Sequence, residues 1–274
     1  MANCLFCYPD RTLGNSVVST SLSGGSWSGS LPLNNLKDAQ VTKVARSASA
    51  AEAHTQFLID LGTTRNTKLI ALIYTNLSNV ATFRFKVTQD SAGNNTAYDT
   101  GITLVPYTFV NSEDLIGWKP NIFFVLPDGV SGRYVHVSLS DTTNASGFVE
   151  VGRCLVMSAW TPDVNIDFGS SIQYAHNTTV ESNIGGSRVY DRRQPVRVTI
   201  GKLNSLNKQE AHIAVLEMQR KLGIDQELFF VYDPDETDIY AQQRSYLATL
   251  EEISPLEDPY VDNHSWGFKL REVL

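Results

Sequence analysis

Between Phe57 and Gln89 the chain runs FLIDLG, a basic turn TTRNTK, then LIALIYTNLS and ATFRFKVTQD. Runs of roughly four to eight residues, rich in Ile, Val, Phe, Tyr and Thr and bounded by Gly, Asn and Ser, mark buried strands of a sandwich. Further strands are predicted near 97–104, 121–126, 132–139 and 147–158, with Gly, Asn and Asp between them. Such spacing is the pattern of an antiparallel β-sandwich. The stretch Asn111 to Asn121 is a longer loop.

The ends of the chain read differently. Residues 1–36 are polar and rich in Gly and Ser, without a helical period, and are predicted as an extended arm. Trp27, Leu31, Leu33 and Leu36 would anchor it. A β-sandwich is expected over 37–160, and Trp160-Thr161-Pro162 marks a boundary. Beyond it, 161–274 is expected to form a second β domain, with strands near 165–174, 178–184 and 187–201. Val196, Val198 and Ile200 alternate with Arg197 and Thr199, as on a half-buried strand with one polar face. A helix is predicted over 207–222. Asn207 and Glu210 fit a capping box. Ala211, Val215, Met218 and Leu222 form one apolar stripe, and Gly223 suits the C′ position. A strand follows in ELFFVYDPDE, with two more near 244–253 and 265–273.

Composition narrows the function classes. The chain has 274 residues, enough for one large core or two ordinary ones. A net charge of −7 with 19% charged residues argues against a nucleic-acid partner, which needs a basic surface. No apolar run reaches the roughly 20 residues needed to span a bilayer. The N-terminus lacks a basic start and a long apolar stretch, so folding in a cytoplasm is expected. Cys4 and Cys7 form a CxxC and Cys154 stands apart. Three thiols without a suitably spaced histidine are too few for a closed zinc or iron–sulfur site. No metal or cofactor is expected. The Asn-x-Ser/Thr sequences at Asn76, Asn94, Asn144, Asn177 and Asn263 are read as turn chemistry.

No arrangement for catalysis stands out. There is no Gly-x-Ser-x-Gly elbow, phosphate loop or HExxH. Asp99 with Asp114, or Glu113 with Asp128, could pair as in a glycosidase, but their separation in space is open. The acidic turn Asp233–Asp238 lacks the EF-hand spacing and glycine, and a solvated loop is the simpler reading. Two surface features bear on partners. Trp118, with Asn111, Asp114 and Asn121 on the same loop, is a candidate sugar or partner platform, or a loop anchor. Arg192, Arg193 and Arg197 form a local positive patch suited to carboxylates of a neighbouring subunit, or a solvated strand face.

Several blocks together resemble a known family. They are Tyr8-Pro9-Asp10 with Gly24-Gly25-Ser26-Trp27 and Leu31–Leu36; Val44–Ser47, Ile59–Gly62 and Tyr74–Ser78; Gly147–Arg153 with Trp160-Thr161-Pro162; and Arg192–Arg197, Asp233-Pro234 and Trp266–Glu272. In this order they resemble the distal-tail, or tail-tip, virion proteins of long-tailed bacteriophages (siphophages). The resemblance implies a discoidin-type, galactose-binding-like β-sandwich in the first half. In the second it implies a tail-tube-like β-sandwich or split barrel with one helix. It implies a structural, non-enzymatic role in the virion after synthesis in the host cytoplasm. The protein would form a homo-oligomeric ring, expected as a hexamer, that joins the tail tube protein to the baseplate hub and meets tail fibres or a host-surface glycan. The alternative is a carbohydrate- or receptor-binding module.

Overall fold

The structure is a computed structural model and describes residues 2–13, 19–106, 119–236 and 239–274. They fall into two compact units. The sandwich unit comprises Cys7–Ala159 with Glu236–Gln243, and the hairpin unit comprises Met1–Phe6, Trp160–Asp235 and Arg244–Leu274.

In chain order the strands of the first part are β1 (Leu5–Asp10), β2 (Ser21–Ser23), β3 (Ala45–Arg46), β4 (Phe57–Asn66), β5 (Leu69–Thr75) and β6 (Thr82–Thr88). They continue with β7 (Thr96–Asp99), β8 (Thr103–Leu104), β9 (Ile122–Val125), β10 (Ser131–Ser140) and β11 (Glu150–Trp160). A single helical turn, α1 (Glu52–Thr55), precedes β4. One sheet of the sandwich unit has the order β2–β4–β10–β6–β7, with β8 on β6. The other joins β1, β11, β5 and β9, with β3 on β11.

Pattern explains the layering. β6 turns Phe83, Phe85 and Val87 inward, while Thr82, Arg84 and Lys86 stay partly exposed. Register sets Val87 opposite Val135 and Phe85 opposite Val137. On the other side of β10 the same two valines face Ile59 and Phe57. β5 is buried nearly throughout, with only Tyr74 partly open, because its sheet is covered on both faces. Residues of both sheets form one core cluster.

Leu5–Asp10 form a strand where an extended arm is expected. LFCY is an apolar run of strand length; Leu5, Phe6 and Cys7 are buried and Tyr8 is half-buried. Of the predicted anchors, Leu33 and Leu36 are buried, Trp27 packs edge-on against Phe57 at 5.8 Å, and Leu31 is only half-buried.

In the hairpin unit the strands are β12 (Ser171–Ala175), β13 (Thr179–Ser182), β14 (Arg188–Asp191), β15 (Val196–Leu206), β16 (Glu227–Val231), β17 (Tyr246–Leu250), β18 (Leu256–Tyr260) and β19 (Asn263–Glu272). An antiparallel sheet has the order β12–β15–β19–β17–β16, and β18 pairs with β19. β13 and β14 pair only with each other. Helix α2 (Leu216–Leu222) continues a π-type turn over Glu210–Val215. α3 (Ile239–Arg244) lies at the boundary between the units' segments.

The predicted capping box forms. The Glu210 N–H donates to Asn207 Oδ1 at 2.9 Å, and the Asn207 N–H donates to Glu210 Oε2 at 3.1 Å. Ala211, Val215, Met218 and Leu222 are all buried. Gly223 ends the helix at φ 54°, a left-handed region that suits glycine. An aromatic core lies within the same unit: Phe6 packs on Trp160, Phe230 and Phe268 at centroid distances of 5.4, 5.3 and 5.2 Å. The Phe268 ring also covers Gly201, where any Cβ would sit 2.5 Å from it. Among the described residues no helix is long and apolar enough to cross a membrane.

Candidate functional site

One end of the sandwich unit gathers residues far apart in sequence. β5 leaves the sheet there, while β9 and β11 enter it. Tyr74, the next-to-last residue of β5, has φ 61°, an uncommon conformation for a residue with a bulky side chain. Its N–H donates to Asn121 Oδ1 at 3.0 Å. Opposite it stands Gly152, where a Cβ would lie 2.3 Å from the Val41 carbonyl oxygen and 3.0 Å from Tyr74 Cβ. Glycine at 152 thus makes room for both the Val41 backbone and the inverted tyrosine.

Charges and a second ring complete the cluster. Arg46 Nε and Nη2 both donate to Glu150 Oε1, at 2.9 and 2.6 Å. Lys119 Nζ approaches Glu150 Oε2 at 3.4 Å. The Arg46 guanidinium lies 4.2 Å from the Phe148 ring centroid, and Lys119 Nζ lies 4.3 Å from that of Tyr74. Cations over ring faces are attracted by the ring quadrupole. Each ring thus has one face taken, and both side chains are only half-buried. Asn76 ties the base together: its Nδ2 donates to the Phe148 carbonyl at 3.1 Å, and its Oδ1 accepts the Glu150 N–H at 2.7 Å. Asn144 Nδ2 donates to the Asn76 carbonyl and to Asp141 Oδ2, each at 2.9 Å. Asp141 itself is buried and also accepts from the Ser78 N–H and hydroxyl. The assembly offers partly exposed aromatic surface, cationic donors and one carboxylate on a fixed base. It is equipped to hold a polar ligand with apolar faces.

The predicted site residues have different fates. Asn121 joins this cluster; Asn111, Asp114 and Trp118 lie outside the described residues. The arginine patch does not hold together. Arg192 and Arg193 are exposed, with Arg193 paired to Asp191 at 3.2 Å. Arg197, expected to face outward, is instead buried: its N–H meets Glu272 Oε2 at 2.9 Å, its guanidinium pairs with the same carboxylate, and it lies 4.5 Å from the Tyr246 ring centroid. The polar face of β15 therefore faces inward, with Thr199 bonded to the Tyr246 hydroxyl, while Ile200 is exposed.

Other candidates resolve simply. Asp233 Oδ1 accepts the Asp235 N–H at 3.1 Å, and Asp235 Oδ2 accepts the Ala2 N–H at 2.9 Å, so this acidic turn satisfies backbone donors. Asp238 lies outside the described residues. So do Glu113 and Asp114, the partners proposed for Asp128 and Asp99. Asp99 is paired with Arg84, whose guanidinium holds its carboxyl down at about 2. Asp128 pairs with Lys68 at 2.7 Å. Cys4, Cys7 and Cys154 form no disulfide, and all three are buried. Burial pushes Cys4 up to about 12 and raises Cys154 as well. Among the described residues no cluster of three or more His, Cys, Asp or Glu could hold a metal ion.

Sequence reasoning missed Tyr74, Lys119, Phe148 and Glu150 as a group. Tyr74–Ser78, Val44–Ser47 and Gly147–Arg153 stand out as motif blocks, but nothing in their spacing shows that they converge. No protein-family model and no curated protein matches the chain. Among solved structures it is similar to the lectin domain of lectinolysin complexed with Lewis B antigen, at 17% identity and TM-score 0.35 over 54% of this chain and 95% of that one. It is also similar to CBM32-1 from a family 31 glycoside hydrolase from Clostridium perfringens, at 11% identity and TM-score 0.41 over 55% of this chain and 100% of that one. A Streptococcus pneumoniae fucose binding module gives 13% identity and TM-score 0.37 over 54% and 94%.

Proposed function

We propose that the chain is a recognition protein whose sandwich unit binds a carbohydrate or carbohydrate-bearing receptor at the end built around Glu150. The observation that supports this is Tyr74. A tyrosine held at φ 61° by Asn121 and by the gap at Gly152 is a strained conformation, and such strain gathers at binding and active sites. Its ring and that of Phe148 provide the apolar surface that the C–H face of a sugar covers, and the surrounding cations and amides provide hydrogen bonds. Nothing in this cluster is an activated nucleophile, and binding without turnover is part of the proposal.

A second reading concerns the particle that carries such a module. The resemblance to distal-tail proteins implies many copies at a phage tail tip, in contact with tube and hub. The exposed β13–β14 ribbon favours it, because among the described residues these two strands pair only with each other.

A glycan array followed by calorimetric titration tests the binding role. Phe148→Ala, and Tyr74→Asn, which tolerates the left-handed backbone, should each weaken the best ligand at least about tenfold, or 1.4 kcal/mol. Both should melt within a few degrees of the parent. An array without a ligand, or variants that bind like the parent, would sink the proposal.

A further inference from the structure

In the hairpin unit, β19 passes His264 out of step with both of its neighbours. Against β15 the register shifts between the pairs Leu203–Trp266 and Leu206–His264. Against β18 it shifts between Glu257–Ser265 and Tyr260–Asn263. Irregular pairing of this kind re-aims side chains and recurs beside functional sites. In the second gap, Asp258 Oδ1 accepts a hydrogen bond from His264 Nδ1. A carboxylate only accepts, so Nδ1 carries the proton, and Nε2 of the neutral ring keeps its lone pair. His264 is only 8% exposed, and this Nε2 is enclosed without a hydrogen-bond partner. A buried acceptor left unsatisfied is unfavourable.

A second imidazole stands beside it. His212 belongs to the π-type turn over Glu210–Val215 and is exposed. Turns of this kind are rare and are frequent at functional sites. The two rings lie 5.3 Å apart, centre to centre, with their planes at 75°. Two imidazoles that share one zinc ion, each nitrogen about 2.0–2.1 Å from it, have centres about 5.2 Å apart at a tetrahedral angle. The observed separation therefore matches a shared ion. One ring is buried and oriented, and the other opens to solvent, which gives a cation its way in. His212 and His264 lie on a turn and on a distant strand, so no ligand spacing marks them in the sequence.

We propose that His212 and His264 are the two protein ligands of an open site for a divalent transition cation such as Zn²⁺, with Asp258 orienting His264 from behind. Imidazole suits zinc, copper and nickel. A ligating histidine ordinarily donates its other ring nitrogen to a carboxylate or a similar acceptor, the arrangement His264 already has. Among the described residues no third ligand completes the set. The remaining positions go to water or to a donor from another molecule, so the cation binds reversibly and the fold does not depend on it.

The test uses the full-length, metal-free chain and ZnCl₂ in calorimetric titration. The parent should bind one equivalent. His212→Gln and His264→Gln should each weaken binding at least about tenfold, and Asp258→Asn should weaken it by about tenfold or more. Zinc should raise the melting temperature of the parent by mass action and leave that of His212→Gln unchanged. His212 is exposed, so its variant tests the site even if His264→Gln melts early. Cu²⁺ added in place of zinc should give an electron paramagnetic resonance spectrum split by two imidazole nitrogens. A parent that takes up no zinc at high micromolar concentration would overturn the proposal. So would a His212→Gln chain that binds like the parent, or a copper spectrum without imidazole nitrogen. An Asp258→Asn chain that binds like the parent would overturn the orienting role of Asp258.

Discussion

Arg197 shows how a side chain can be read correctly in period and wrongly in direction. The alternation of Val196, Val198 and Ile200 with Arg197 and Thr199 is real, but β15 is covered on both faces from Val196 to Thr199, and beyond that Ile200, Lys202 and Ser205 are exposed. Sequence alone does not show that Glu272 and Tyr246 wait on the inner side. Arg197→Ala should cost about 3–5 kcal/mol in urea unfolding, because it leaves the Glu272 carboxylate buried and unpaired. Replacing both partners with apolar residues should recover most of the loss. Arg193→Glu, at an exposed site, should leave the midpoint unchanged. Asp99 offers a pH test in the other unit. Its folded-state value of about 2 is below that of an unfolded aspartate, so its contribution is present above about pH 4. It should be lost as pH falls toward 2. Asp99→Asn should flatten stability over that window, and a variant as acid-sensitive as the parent would exclude this pair as a cause.

Among the elements, the long patterned ones were legible. Helix α2 is visible from its stripe, box and terminal glycine, since every signal is local. Met218→Ala should cost about 2–5 kcal/mol, the range for emptying a core site. Asn207→Ala should cost about 1 kcal/mol through the lost cap, and chemical denaturation measures both. The strands near 57–61, 68–75, 81–88 and 132–139 were legible for the same reason: apolar residues repeat at a period of two or run unbroken. β1 was not, because Pro9 and the polar flanks hide its pairing. The binding cluster was least legible. Asn121 could be picked from its loop, but Arg46, Tyr74 and Glu150 meet only through sheet register, and Tyr74 carries no mark of its backbone conformation.

At the scale of the molecule, charge is unevenly placed. A chain of net −7 carries three arginines within 188–193, against Asp191 alone in that stretch. Where these exposed arginines meet a partner's carboxylates, added salt should weaken association, because exposed charges are screened beyond about 10 Å at 0.1 M. Sedimentation at low and high ionic strength should show a fall in oligomer, with the unfolding midpoint unchanged. An oligomer that grows with salt would point instead to an interface held by apolar burial alone.

The buried thiols have a practical consequence. Thiolate, not thiol, reacts with maleimides and disulfide reagents. With Cys4 and Cys154 both enclosed and raised, and Cys7 enclosed as well, the folded chain is chemically silent toward such probes. A cysteine introduced at the hairpin tip, for example in place of Ile184, becomes a unique attachment point. Fluorophores or spin labels can then report on the ribbon without stripping the native cysteines first.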